Sequence, residues 1–151
     1  MRRRLAYVLA TWFGCGYVPF APGTAGTLGA LPLYFAVRSG GPLVVLAVAA
    51  LLATVGVWAA GEVCLATAQP DPQIVVIDEV VGVLVTLAVS SPTLASVAAG
   101  VVLFRIFDQW KPWPARTLES LHGGIGVVMD DVAAGVWGAA FLGIARIAGL
   151  P

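Results

Sequence analysis

Two acidic doublets stand inside otherwise apolar stretches of this 151-residue chain: Asp78-Glu79 in "IVVIDEVVGVLV" and Asp130-Asp131 in "VVMDDVAAG". A further acid, Asp108, comes three residues before Lys111 in "FRIFDQWKPWP", with Arg105 just upstream. A carboxylate at the centre of a membrane helix costs about 2.5–3.5 kcal/mol, whereas each Leu or Val returns only about 0.3–0.6 kcal/mol. One doublet therefore offsets roughly ten aliphatic residues, and the folded protein has to neutralise it. Nearby bases are few: Arg105, Lys111 and Arg116, with Arg38 and Arg146 further away in sequence. The excess negative charge is what a divalent cation would balance. Carboxylates without clustered Cys or His favour a hard ion, Mg²⁺ or Mn²⁺, over zinc. The competing reading makes the acids helix caps and buried ion pairs, with Asp130 or Asp131 capping a last helix.

Two glycine-rich stretches, "APGTAGT" (Ala21–Thr27) and "HGGIG" (His122–Gly126), precede apolar segments. Each is read either as a plain turn or as backbone N–H groups cradling an anion at a helix start. Lys111 can serve a phosphate as a point charge and Arg105 as a bidentate fork. The one histidine, His122, has no triad arrangement around it, and Trp110 and Trp113 read as membrane-interface anchors.

The elements that must position these groups follow from composition. Residues are 60% hydrophobic and only 11% charged, too little polar surface to cover a soluble globule, so the class is a polytopic membrane protein. Zero net charge and the absence of a basic run argue against a nucleic-acid partner. Cys15 and Cys64 lack CxxC spacing and read as small buried hydrophobes. The expected fold is all-α: one compact helical bundle and one domain over residues 1–151. About four spans are expected, near 43–66, 74–89, 92–107 and 130–148. Residues 14–29 read as a loop, and a short helix near 27–37, too short to cross, as half-inserted or re-entrant. "MRRR" reads as a topology signal holding the N-terminus, and with it the active site, at the cytoplasmic face.

In order, "GYVPFAPGTAGTLGALP", "DPQIVVIDEVVG", "FRIFDQWKPWP" and "LHGGIGVVMDDVAAG" resemble the marker segments of the bacterial phosphatidylglycerophosphatase A family, from Gly16 to Gly135. The resemblance implies a Mg²⁺-dependent phosphatase of the bacterial cytoplasmic membrane. Its lipid substrate would be phosphatidylglycerophosphate, its products phosphatidylglycerol and phosphate. Positions carried over are Asp78, Glu79, Asp108, Lys111, Asp130 and Asp131, with Pro22-Gly23-Thr24 and Gly123-Gly124. Departures are Gln109 and Trp110, where aliphatic residues are expected, and Thr27, where serine is common.

The residues narrow the chemistry independently. There is no C-x₅-R pattern, no second histidine and no D-x-D, which leaves metal-assisted attack by water, with a covalent aspartyl-phosphate as the variant the sequence leaves open. Adjacent helix residues diverge by about 100°, so each doublet is expected to give one direct ligand. The expected ligands are Glu79, Asp108 and Asp130, with Asp78 and Asp131 as base or supporting ligands. Lys111 and Arg105 would stabilise the phosphoryl oxygens, with Gly23, Thr24, Gly123 and Gly124 lining the substrate. The alternative is a small transporter or channel subunit, whose carboxylates would face one another at mid-bilayer. A CDP-alcohol phosphotransferase would need a spaced array of four aspartates that the chain lacks. No feature fixes an oligomeric state.

Overall fold

The computed structural model describes residues 1–149. Among them every regular element is helical. In chain order these are α1 (Arg2–Ala10), α2 (Pro22–Gly29), α3 (Leu31–Val37), α4 (Pro42–Thr67), α5 (Ile77–Leu87), α6 (Leu94–Trp110), α7 (Ala115–Glu119) and α8 (Gly124–Ile147).

α5 is the hub. It packs against α2, α4, α6 and α8, and nine of its eleven residues are buried, so its all-round apolar character is spent on protein neighbours. α4 is equally apolar but has only seven of 26 residues buried, and leaves an apolar surface that suits lipid. It starts cleanly at Pro42, after Gly41 at φ +85°, and stops at Ala68 in the left-handed region. The N-cap of α6 is Thr93, whose hydroxyl accepts from the Ser96 N–H at 3.2 Å.

Length separates candidate spans from buried helices. At about 1.5 Å per residue, α4 and α8 reach about 39 and 36 Å, α6 about 26 Å and α5 only about 16 Å. Two helices, α4 and α8, are thus long and apolar enough to cross a bilayer, where the sequence suggested about four. The β-branched run at 74–89 is not one long helix: Val75 and Val76 precede the helix, and the Val76 N–H donates to the Ala10 carbonyl.

Two further expectations change. Residues 22–29, read as loop, form α2 despite their glycines, because Pro22 suits a first helical position and the small residues let α2 press on α5. A Cβ on Gly26 would lie 2.7 Å from the Cβ of Val76. Gly23 stands beside Glu79 at the start of α5, and Arg38 reaches the Pro92 carbonyl beyond its end, so α2 and α3 together traverse the full depth of α5. Finally, α8 begins at Gly124, so Asp130 and Asp131 lie inside the helix and cap nothing.

Candidate active site

One close helix crossing places the carboxylates. A Cβ on Gly135 of α8 would fall 2.4 Å from the Gly82 carbonyl of α5, so only hydrogens fit there. The buried Thr86 hydroxyl is 3.0 Å from the Gly135 carbonyl and 3.2 Å from that of Gly82. Both helices run the same way from this crossing. One turn toward their N-termini they present Asp78 and Glu79 on α5 and Asp131 on α8.

There one carboxylate oxygen each from Asp78, Glu79 and Asp131 lies within 4.8 Å of the other two. Asp78 and Asp131 are buried, and Glu79 nearly so. Asp78 Oδ1, Glu79 Oε2 and Asp131 Oδ2 are buried oxygens with no hydrogen-bond partner among the described residues. Three converging anions with unsatisfied lone pairs are costly unless a cation joins them. An all-oxygen donor set of this charge fits Mg²⁺ or a similar hard divalent ion.

The other two expected ligands, Asp108 and Asp130, stand beside the cluster in ion pairs. Arg105, Asp108 and Lys111 share one side of the end of α6, spaced three residues apart. Arg105 Nη1 is 2.9 Å from Asp108 and 3.7 Å from Glu79. The Lys111 ammonium donates to Asp130 at 2.7 Å and to Glu119 at 2.8 Å. Asp130 also accepts the Asp131 backbone N–H through its other oxygen. Asp108 and Asp130 are thus each ion-paired, while both members of the first doublet belong to the three-acid cluster. Glu79 manages this because its longer side chain can swing back past the open first turn of α5. Burial alone would lower the Lys111 pKa, but the hydrogen bonds and charges of Asp130 and Glu119 outweigh it and hold it above the usual lysine range.

These groups line a cleft of about 240 Å³ closed on one side by Ala21, Pro22 and Gly23. It contains six carboxylates against two cations, and every predicted acid is among them. The sixth, Asp71, was not singled out from sequence. Its signal was only its place in the turn "QPDPQ" before α5. Gly23 has a defined function here: a Cβ on it would sit 2.1 Å from Glu79 Oε1 and 3.0 Å from Arg105 Nη1.

The remaining predicted substrate residues are placed differently. Thr24 is exposed and does not line the cleft. Gly124 serves helix packing, since a Cβ there would fall 2.0 Å from the Val57 carbonyl of α4. Gly123 and His122 line a second, larger cleft of about 590 Å³, which shares Asp71 and Asp130 with the acidic one. Trp110 and Trp113 are exposed beside the site end of α6, as interface anchors would be. Cys64 is buried and Cys15 half-buried, both as free thiols.

Comparison with known proteins extends the match beyond these residues. The phosphatidylglycerophosphatase A family model matches residues 8–146. A phosphatidylglycerophosphatase A of Escherichia coli is 37% identical over 142 residues, covering 90% of this chain and 80% of the relative. One of Haemophilus influenzae is 34% identical over 134 residues, covering 87% and 82%. A Bacteroides thetaiotaomicron protein, provisionally named a phosphatidylinositol-3-phosphatase, is 39% identical over 150 residues and 94% of each chain. No solved structure gives a significant match. With a family model covering nearly its whole length and relatives aligned over four fifths or more of each chain, the chain belongs to the phosphatidylglycerophosphatase A family.

Proposed function

We propose that this protein hydrolyses the terminal phosphomonoester of phosphatidylglycerophosphate, using Mg²⁺, at the cytoplasmic face of a bacterial inner membrane. The observation that carries the reading is the cluster of Asp78, Glu79 and Asp131 oxygens within 4.8 Å, set in one cleft with Arg105 and Lys111. Six carboxylates would repel a phosphate dianion. Held by Asp78, Glu79 and Asp131, Mg²⁺ would offset that charge and act as a Lewis acid toward a phosphoryl oxygen.

The chain's own residues do the rest. Arg105, fixed by Asp108 and Glu79, offers its remaining N–H groups to the equatorial oxygens. Lys111 has a raised pKa and stays a cation, so it stabilises developing charge and does not exchange protons. Asp71 lines the cleft but belongs neither to the three-acid cluster nor to an ion pair among the described residues. It is the carboxylate placed to orient attacking water and accept its proton. Water oxygen then bonds to phosphorus, the bond from phosphorus to the glycerol oxygen breaks, and the departing alkoxide is protonated from solvent, to which Asp71 returns the proton it accepted.

Charge distribution supports the membrane orientation. Arg2 pairs with Glu62 near the site end of α4, and Arg3, Arg4, Arg105, Lys111 and Arg116 belong to the same end. Arg38 and Arg146 lie at the other end, bonded to the Pro92 and Val89 carbonyls. An excess of bases marks the cytoplasmic side. A multi-pass arrangement is consistent with α4 and α8 as crossing helices and α2–α3 and α6 packed beside them. The transporter reading asks for carboxylates paired at mid-depth. Here the acids, both cations and the Pro22–Gly23 turn gather at one end.

The test is phosphate release by purified protein from phosphatidylglycerophosphate, before and after chelation and on restoring Mg²⁺. Metal-dependent release is expected. Turnover that survives thorough chelation would refute the metal assignment, and cleavage of phosphatidylinositol-3-phosphate alone would move the substrate to the inositol lipids.

A further inference from the structure

The acidic cleft, at about 240 Å³, is sized for the charged head of the substrate, the phosphoglycerol and the phosphodiester behind it, and not for the diacylglycerol. The rest of the substrate needs a continuing space. The larger cleft of about 590 Å³ opens from the same place, since Asp71 and Asp130 form walls of both. Its outer walls are Gly61 and Leu65 on α4 and Leu121 and Val127 at the start of α8. Leu65 and Leu121 are exposed, so its rim is apolar where it meets the surroundings. Neither Lys nor Arg lines it, and its carboxylates, Asp71, Glu119 and Asp130, stand on the side shared with the acidic cleft and Lys111. The portion of the substrate it suits is therefore the uncharged part beyond the phosphodiester.

We infer that this cleft holds the glycerol backbone and first acyl methylenes of the lipid while its phosphomonoester and its phosphodiester both lie in the acidic cleft with Arg105 and Lys111. The inference rests on the phosphatase reading above and adds how the enzyme distinguishes a membrane lipid from a soluble phosphate ester. Gly61 is the residue that keeps the cleft open on the α4 side. A Cβ there would meet only the Gly124 nitrogen, at 3.7 Å, so alanine fits, whereas a branched side chain projects into the space the lipid would take.

The experiment measures KM and kcat for phosphatidylglycerophosphate in mixed micelles with Mg²⁺. It compares wild type, Gly61→Val, Leu121→Glu and Leu46→Phe, the last on the exposed far half of α4. Gly61→Val and Leu121→Glu are expected to raise KM by about tenfold or more with kcat nearly unchanged, as loss of uniform substrate binding does. Leu46→Phe is expected to match wild type. Leu121 is an exposed position outside the crossing helices, so its variant reports even if Gly61→Val does not fold. An unchanged KM in folded Leu121→Glu, or a KM rise shared by Leu46→Phe, overturns the lipid subsite while leaving the phosphatase reading intact. Absence of phosphate release by wild type overturns both.

Discussion

Gly23 and Glu79 occupy a space that admits only one side chain: a Cβ on the glycine would lie 2.1 Å from the glutamate Oε1. The obstacle is the tip of a flexible side chain, so the helix start can accept alanine while the carboxylate cannot keep its place. Gly23→Ala is therefore expected to leave thermal stability within about 1 kcal/mol of wild type. It should lower phosphate release by about 10–100-fold, the usual cost of disturbing a ligand's surroundings. Raising Mg²⁺ should recover part of the loss. A variant as active as wild type at limiting Mg²⁺ would contradict the assigned position of Glu79.

The carboxylates should rank by what they touch. Asp78→Asn, Glu79→Gln and Asp131→Asn each remove a charge from the central cluster and are expected to reduce kcat by about 10²–10³-fold. Asp130→Asn weakens the hold on Lys111, 2.7 Å away, and should cost nearer about tenfold, the lower bound for an orienting partner. Metal titration separates the groups: the first three should shift the Mg²⁺ requirement upward, and Asp130→Asn should shift it least. The reverse order would return the ion to Asp130.

Gly135→Ala tests the crossing that brings the two doublets together. Its Cβ would meet backbone, the Gly82 carbonyl at 2.4 Å, and backbone cannot step aside as a side-chain tip can. Overpacking of this kind costs about 1–3 kcal/mol. Lower Tm and lower activity are expected together, because parting α5 from α8 separates Asp78 and Glu79 from Asp131. Loss of stability with full activity would show that the site does not depend on this contact.

Membrane orientation can be read by labelling. With the native Cys15 and Cys64 replaced, a cysteine at Arg116 should react with a membrane-impermeant thiol reagent only after the inner face is opened. One at Ser39, at the Arg38 end, should react in intact cells. The opposite pattern would place the site outside.

Much of this protein follows from its sequence alone. Scarce charge in a greasy chain dictates a membrane-compatible helical fold. Acids that cost more than several leucines can return must converge on something that neutralises them, and Asp78, Glu79, Asp108, Asp130, Asp131, Arg105 and Lys111 do line one cleft. What one chain could not disclose is which oxygens face each other. Adjacent residues diverge on an isolated helix, yet Asp78 and Glu79 both reach Asp131 because the α5–α8 approach at Gly82 and Gly135 sets the distance. Hydropathy reads 74–89 as one span, but burial on all sides lets α5 stop at eleven residues. Likewise α2 reads as loop by propensity and becomes helix because α5 supports it. Asp71, unremarkable in a turn, joins the cleft only once the chain between α4 and α5 folds over it. Composition and periodicity report each segment's preference for solvent. Pairings between segments are set by packing at contact distance, and that exists only in three dimensions.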